Sequence, residues 1–490
     1  MLIPAGFISS SFSFSIGFLA LACAAALPVL GTLCKCGHCD GGDEEDDSDD
    51  CDELSEAYAD TENEIAVLAQ NKSRTEEQSL ELIGLYAKLA TQKIESYEVD
   101  DAVSAYENAI GLLTAMPDIN NNDIKARHLA ELYVDVSRLL ANLGDHDDAL
   151  ASLSKAKDAL KDLVGRQDGD AMYEVAQIQY HRGCIYREVG DNGEAAKALD
   201  DAFIRYRALE KITDLSDTRY DMALVSLEQA FLMRETGQPI AKITDLYNRT
   251  MRLLVELIDI GQLEHELLLA ETLIDKCSAT FDAYLNDEVE FESEEKEKEE
   301  FDVVLKTVTQ GLDIMRRLAQ EKTNVEAQEA YLDSSQHYME MLSQRGRDDE
   351  ALKLCDEVIN EFFGDGSDIP DGAGFQYAML LNTRGDLLRR AGRYDEAIKA
   401  LDTALGTVNT EISDLDLEVM SQFGDDMLAP MHVIAQLIED KILTFSDKGD
   451  KAAANKCFED AKTLIEPFRA IWQEQADEAL KKIEEVLNEG

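Results

Sequence analysis

Cys34, Cys36, Cys39 and Cys51, with His38 among them, are the residues of this 490-residue chain whose types best suit metal chemistry. Thiolates and an imidazole fit zinc or an iron–sulfur cluster. The spacing argues against both, because zinc sites usually carry two Cys-x₂-Cys pairs and only Cys36 and Cys39 have that separation. Cysteines beside an apolar segment are also acylation candidates. The plainest reading gives these four no special role, so no metal and no cofactor is expected. His181 and Cys184 lie one helical turn apart, an arrangement open to a nucleophile and its base. Neighbours on the surface of one helix are the plainer account. There is no His-Glu-x-x-His, since His265-Glu266 is followed by three leucines. There is no Gly-Lys-Ser/Thr phosphate loop and no Gly-x-Ser-x-Gly elbow. The stretch Gly364 to Gly374 lacks the acidic spacing of a calcium loop. The residues therefore point to a chain that is not an enzyme.

The elements that would position any site come from an internal repeat. A turn glycine is followed five residues later by alanine at Gly144/Ala149, Gly190/Ala195, Gly346/Ala351, Gly392/Ala397 and Gly449/Ala454. Tyr97/Ala102 fits without the glycine, and Gly237 marks a turn at which the alanine register slips. Gly144 to Gly190, Gly190 to Gly237 and Gly346 to Gly392 span 46, 47 and 46 residues. The 109 residues from Gly237 to Gly346 leave room for one enlarged, degenerate module, and the 57 from Gly392 to Gly449 for a long loop. Each unit reads as an amphipathic helix, a tight turn and a second amphipathic helix, with small residues where the helices cross. Gly183, Ala195 and Ala202 mark that crossing in one unit, and Gly385, Ala397 and Ala404 in another.

The run Asn382 to Ile398 resembles the tetratricopeptide repeat consensus through Gly385, Leu388, Gly392, Tyr394 and Ala397. Tyr180 to Ala202 is similar, with Gly183, Tyr186, Gly190, Ala195 and Ala202; Leu132 to Ala156 is weaker but in register. Pro467, after Phe458 and Ala461, stands about where that family often places a terminating proline. The resemblance spans roughly residues 80 to 468, and its period is longer than the usual one. It implies an all-α fold, a right-handed α-solenoid of antiparallel helix pairs forming a tetratricopeptide-like superhelix. It also implies a ligand surface on the inner face of each first helix. That face takes Tyr180, Cys184 and Arg187 in one module and Leu227, Phe231 and Arg234 in the next. Asn382, Asp386 and Arg389 occupy it in a later one. Arg187 and Arg234 would then form a basic ladder able to grip a peptide carboxylate; the plainer alternative is that they pair with neighbouring carboxylates. The Lys and Asn clamp of chaperone-binding relatives is not reproduced.

Charge narrows the partners. The net charge is −55, and from residue 54 onward 45 basic residues still face 91 acidic ones, a net −46. An acidic body repels phosphate backbones, so nucleic acid is excluded as a ligand class. It steers basic proteins or peptides inward. Cys184, Cys277, Cys355 and Cys457 are scattered through helical patterns and form no disulfide framework, which leans toward a reducing compartment.

The expected organisation is an apolar signal or anchor segment over 1–33, a cysteine-bearing acidic linker over 34–53, an array of about seven to eight helix pairs over 54–470 with an acidic insert at 286–300, and a capping helix over 471–490. In the linker 10 of the 14 residues from Asp40 to Glu53 are acidic, too charged to collapse. The insert carries nine acidic residues and two lysines, which suits a solvated loop or a polar helix extension. The apolar run over residues 16–33 is near the lower limit for a bilayer span, though no basic residue precedes it. It leads to an expectation of membrane association or export, with a cytoplasmic protein as the alternative. The leading functional reading is a non-catalytic scaffold binding a peptide or partner helix. The alternative is a membrane-anchored assembly subunit working through its outer face.

Overall fold

The structure is a computed structural model that describes residues 60–95, 98–117, 122–210, 217–321, 324–364, 366, 369, 373–413 and 429–489. The four cysteines at 34–51, the acidic linker and the apolar run over 16–33 lie outside those residues, and the loop at 364–374 lies partly outside them. Among the described residues every regular element is helical. The chain divides into two compact units, one ending at Glu292 and the other starting at Ser293.

The first unit contains α1 (Glu76–Glu95), α2 (Val99–Thr114), α3 (Asp123–Asn142), α4 (His146–Ala159), the five-residue α5 (Lys161–Gly165), α6 (Gly169–Glu188), α7 (Asn192–Leu209), α8 (Asp217–Glu235), α9 (Ile240–Asp259) and α10 (Glu266–Leu285). The pairs α1/α2, α3/α4, α6/α7 and α8/α9 pack closely, and α9 then packs on α10. The second unit contains α11 (Glu294–Ala319), α12 (Val325–Gln344), α13 (Asp348–Phe362), α14 (Gly374–Arg390), α15 (Tyr394–Ser413), α16 (Ala429–Lys448), α17 (Lys451–Arg469) and α18 (Gln473–Glu489). Here α11 packs on α12, α12 on α13, α14 on α15 and α16 on α17, while α18 covers both α16 and α17.

One turn design joins the helices of a pair. Gly190 and Gly392 have φ of +77° and +72°, a conformation that Cβ opposes and that only glycine adopts freely. The next residue closes each helix, Asp191 N–H donating to the Tyr186 carbonyl and Arg393 N–H to that of Leu388, both at 2.8 Å. This is the Schellman ending, which satisfies carbonyls the helix cannot. Gly144, Gly237, Gly346 and Gly449 repeat it.

The second helix of a pair buries one stripe with i, i+4, i+7 spacing, the face a 3.6-residue helix turns inward. The stripe is Ala149, Leu153 and Ala156 in α4, Ala195, Leu199 and Ala202 in α7, and Ala397, Leu401 and Ala404 in α15, all fully buried. The first helix answers with glycine. A Cβ on Gly183 would stand 2.6 Å from the Leu199 side chain, and one on Gly385 2.9 Å from Leu401. In α9 the stripe becomes Ile243, Tyr247 and Thr250, six rather than five residues past the turn glycine. Pro239 at the N-cap makes the extra step, which is the register slip seen in the sequence.

The stretch from Asn286 to Glu300 is divided between two structures. Asn286 caps α10, and from Glu294 onward the residues form the first turns of α11. Ser293 accepts from Lys296 N–H as the N-cap, and Glu294, Glu295 and Glu297 sit where the helix dipole favours negative charge. Pro467 does not stop α17, which continues to Arg469.

The expectation of membrane association or export is corrected. Among the described residues no helix is long and apolar enough to cross a membrane. Even α10, rich in leucine, carries Glu266, Glu271, Asp275, Lys276 and Asp282, charges that lipid would not solvate.

Candidate protein-binding face

In the first unit the first helices of successive pairs, α3, α6 and α8, and then α10, carry the polar side chains that link one module to the next. Arg187 leaves the last turn of α6 and reaches α8. Its Nε donates to Glu228 Oε2 at 2.9 Å and its Nη1 to Glu235 Oε1 at 2.5 Å. The guanidinium also lies over the Phe231 ring, 5.9 Å from the centroid. Arg234, at the same place in α8, donates from Nη2 to Asp282 Oδ2 of α10 at 2.6 Å. In the second unit Arg389 of α14 holds Asp386 at 2.6 Å and Asp447 of α16 at 2.7 Å. Both arginines of the expected ladder, Arg187 and Arg234, and Arg389 as well are thus taken up by carboxylates, in each case at least one on the following first helix. They fasten modules together rather than stand free for a peptide carboxylate.

The other expected residues are placed as follows. Tyr180 is half-buried against the core around Ala195, Leu199 and Tyr206, and burial raises its phenol further. Phe231 is half-buried and meets Tyr247 edge-on at 6.4 Å between centroids. Leu227 is buried core, so that position faces inward. Asn382 is buried with no hydrogen bond to its Oδ1, beside Asp440 of α16. The structure therefore brings together Arg187 with Phe231, and Arg389 with Asp386, but not one basic groove.

His181 and Cys184 have no reactive electronics. Burial, then the Arg138 cation, hold the imidazole down at about 4, and its Nε2 accepts from Arg138 Nη2 at 3.1 Å. Burial pushes the Cys184 thiol up to about 12, where it keeps its proton and is a poor nucleophile. Among the described residues no cluster of His, Cys, Asp and Glu could hold a metal ion.

Sequence reasoning missed the carboxylates on the helices of each unit that carry these arginine contacts. Burial raises Asp135, with Glu131 adding to it against the pull of Arg138. Burial likewise raises Glu174 and Glu228, opposed by Arg127 and Arg187 respectively. Asp275 in α10 is pushed to about 6 by burial, with Arg234 opposing, and Asp440 in α16 to about 6 by burial. Acidic residues are so abundant here that no motif singled these out. A signal existed in register: Asp135, Glu228 and Asp440 each lie nine residues before the turn glycine of their own module.

These shifts fix a sign. Asp440 binds its proton more tightly folded than unfolded, so its contribution is fully present below the unfolded value near 4. It is lost as pH rises through about 6. Asp440→Asn removes the penalty while keeping an acceptor for Asn382. The variant should be more stable than the parent by about 1–2 kcal/mol at pH 7.5 and indistinguishable from it near pH 4, read from urea midpoints.

No protein-family model matches the sequence, and no curated protein matches it. Solved structures do. The chain is similar to BtubC (BKLC) from P. vanneervenii at 15% identity, covering 54% of this chain and 92% of that one with a TM-score of 0.41. The apo form of RapI matches at 12% identity over 68% of this chain and 98% of that one, with a TM-score of 0.39. A tetratricopeptide repeat protein from Parabacteroides merdae matches at 16% identity over 73% and 98%, with a TM-score of 0.33. At these values the architecture and its use rest on this chain's own residues. Among the described residues, the glycine turns, the crossing of Gly183 on Leu199 and Gly385 on Leu401, and the period of 46–47 residues give an all-helical array of antiparallel helix pairs, similar in architecture to the tetratricopeptide repeat.

Proposed function

We propose that the chain is a non-catalytic scaffold that holds a segment of a partner protein against the face formed by α3, α6, α8 and α10, and that the segment is basic. The observation that supports this reading is the set of partly desolvated carboxylates Asp135, Glu174, Glu228 and Asp275 on that face. Withdrawing a carboxylate from water costs free energy unless a cation compensates it. The arginines on the face compensate only in part, as the raised carboxylates record. A lysine or arginine of a partner would complete the compensation, and the overall charge would speed its approach.

Affinity purification with quantitative mass spectrometry on the full chain tests the reading. Glu228→Gln with Asp275→Asn should retain helix content and lose partners that the parent recovers. Recovery of the same partners in the same amounts would remove the face from consideration. The retained partners should also wash off between about 0.1 and 0.5 M salt, where the Debye length falls from about 10 Å to less than half that.

A further inference from the structure

Between α3 and α6 lies a groove of about 530 Å³. Half-buried Val134 is the apolar residue of its floor, over the buried Ala130 and Ile178, with exposed Ile124 at one end. Both ends are bridged. At one, Arg127 of α3 holds Asp168, Asp170 and Glu174 at 2.5, 3.1 and 3.4 Å. At the other, Arg138 donates to His181. Along α3 these bridges are eleven residues apart, about 16 Å at 1.5 Å per residue. An extended chain advancing about 3.3 Å per residue would fill that length with about five residues.

The walls are acidic where the floor is apolar. Glu131 has no cation within ion-pair distance among the described residues. Asp135 has only Arg138, at 3.9 Å. Glu174 shares Arg127 with two other carboxylates. The two arginines at the ends are thus outnumbered by the carboxylates around them. Both Asp135 and Glu174 are raised by burial, so neither is well solvated or well paired.

Resting on the scaffold reading above, we propose that the α3/α6 groove is the anchor point for the partner, and that it takes a short extended segment in which an apolar side chain is flanked by lysine or arginine. The apolar side chain covers Val134. The flanking ammonium or guanidinium groups meet Glu131 and Asp135 on one wall and Glu174 on the other. Charge complementarity selects this occupant over an acidic segment or a second copy of this strongly acidic chain.

Fluorescence anisotropy on the full chain provides the test. The probe is a short labelled peptide alternating lysine and leucine. Its controls alternate glutamate with leucine, and lysine with serine. The lysine–leucine peptide should bind the parent and the other two should bind at least about tenfold more weakly. Val134→Lys, which puts a like charge on the floor, and Asp135→Asn with Glu174→Gln should each weaken the lysine–leucine peptide by about tenfold or more. Melting curves confirm folding, and the conservative double variant keeps the test sound if Val134→Lys is unstable. Equal binding of the glutamate–leucine peptide overturns the proposal. So does binding indifferent to both groove variants, or none by the parent. If Glu228→Gln with Asp275→Asn loses natural partners while the groove variants keep them all, the groove assignment fails and the scaffold reading stands. If every variant keeps every partner, the scaffold reading fails and takes the groove with it.

Discussion

Gly183→Val should lower stability by about 2–3 kcal/mol, seen as a drop in urea midpoint with an unchanged slope. The added Cβ alone would stand 2.6 Å from Leu199 Cγ and Cδ2 and 3.3 Å from the Leu199 backbone nitrogen. The leucine cannot retreat, because it is fully buried between Ala195 and Ala202. Close-packed interiors answer such an insertion with strained rotamers or a backbone shift. The strain belongs to the α6/α7 crossing, so shortening the opposing side chain should relieve it. Gly183→Val with Leu199→Ala should lose less than the sum of the two single losses, since contacting residues are not additive. Gly111→Ala in α2 provides the opposite sign. Nothing lies within 4 Å of a Cβ built there, so that variant should gain about 0.5–1 kcal/mol from helix propensity. If Gly183→Val were also neutral or stabilising, the helices would not cross where the structure has them.

The contrast shows what the sequence could disclose. Gly183 and Gly111 are the same residue in the same kind of helix. Only the repeat register, which sets Gly183 opposite Leu199, distinguishes them. Because register was legible from Gly144, Gly190, Gly346, Gly392 and Gly449, so were the turns, the buried alanines and the crossings. The slip in α9 was also visible, but its outcome was not. Pro239 moves the stripe by one residue, and Tyr247 then takes the place of a small or aliphatic side chain. The site was less legible than the fold. Arg187 and Arg234 were correctly set at equivalent positions, yet periodicity does not say whether an arginine looks to solvent or to the next module. That depends on Glu228, Glu235 and Asp282, three acidic residues among 101 in the chain. The groove between α3 and α6 depends on how the helices of two successive modules pack, which no single-residue pattern encodes.

Arg187→Ala should destabilise the chain by about 2–3 kcal/mol at pH 7.5, most of it through the partner it abandons. Glu228 is largely withdrawn from water, with 17% of its side chain exposed, and Arg187 is its only ion-pair partner among the described residues. Burial already raises its carboxyl, and Arg187 is the first influence opposing that rise. Without the guanidinium the carboxyl rises further. A folded-state value above the unfolded one makes a contribution that is present at low pH and lost as pH rises. The gap between parent and Arg187→Ala should therefore be widest at and above neutrality and narrow at lower pH as Glu228 takes up a proton. Arg187→Ala with Glu228→Gln removes the stranded charge and should recover more than half of the loss at pH 7.5. Glu235, more exposed at 39% of its side chain, should contribute little, and Glu235→Gln alone should shift stability by less than about 0.5 kcal/mol. These variants also separate the two roles an arginine on this face can have. A ligand-gripping arginine would leave the free protein unchanged when removed, and Glu228→Gln would not rescue it. An arginine that fastens α6 to α8 gives the pH-dependent loss and the rescue. A pH-independent loss, or a double variant no better than Arg187→Ala, would return Arg187 to the ligand.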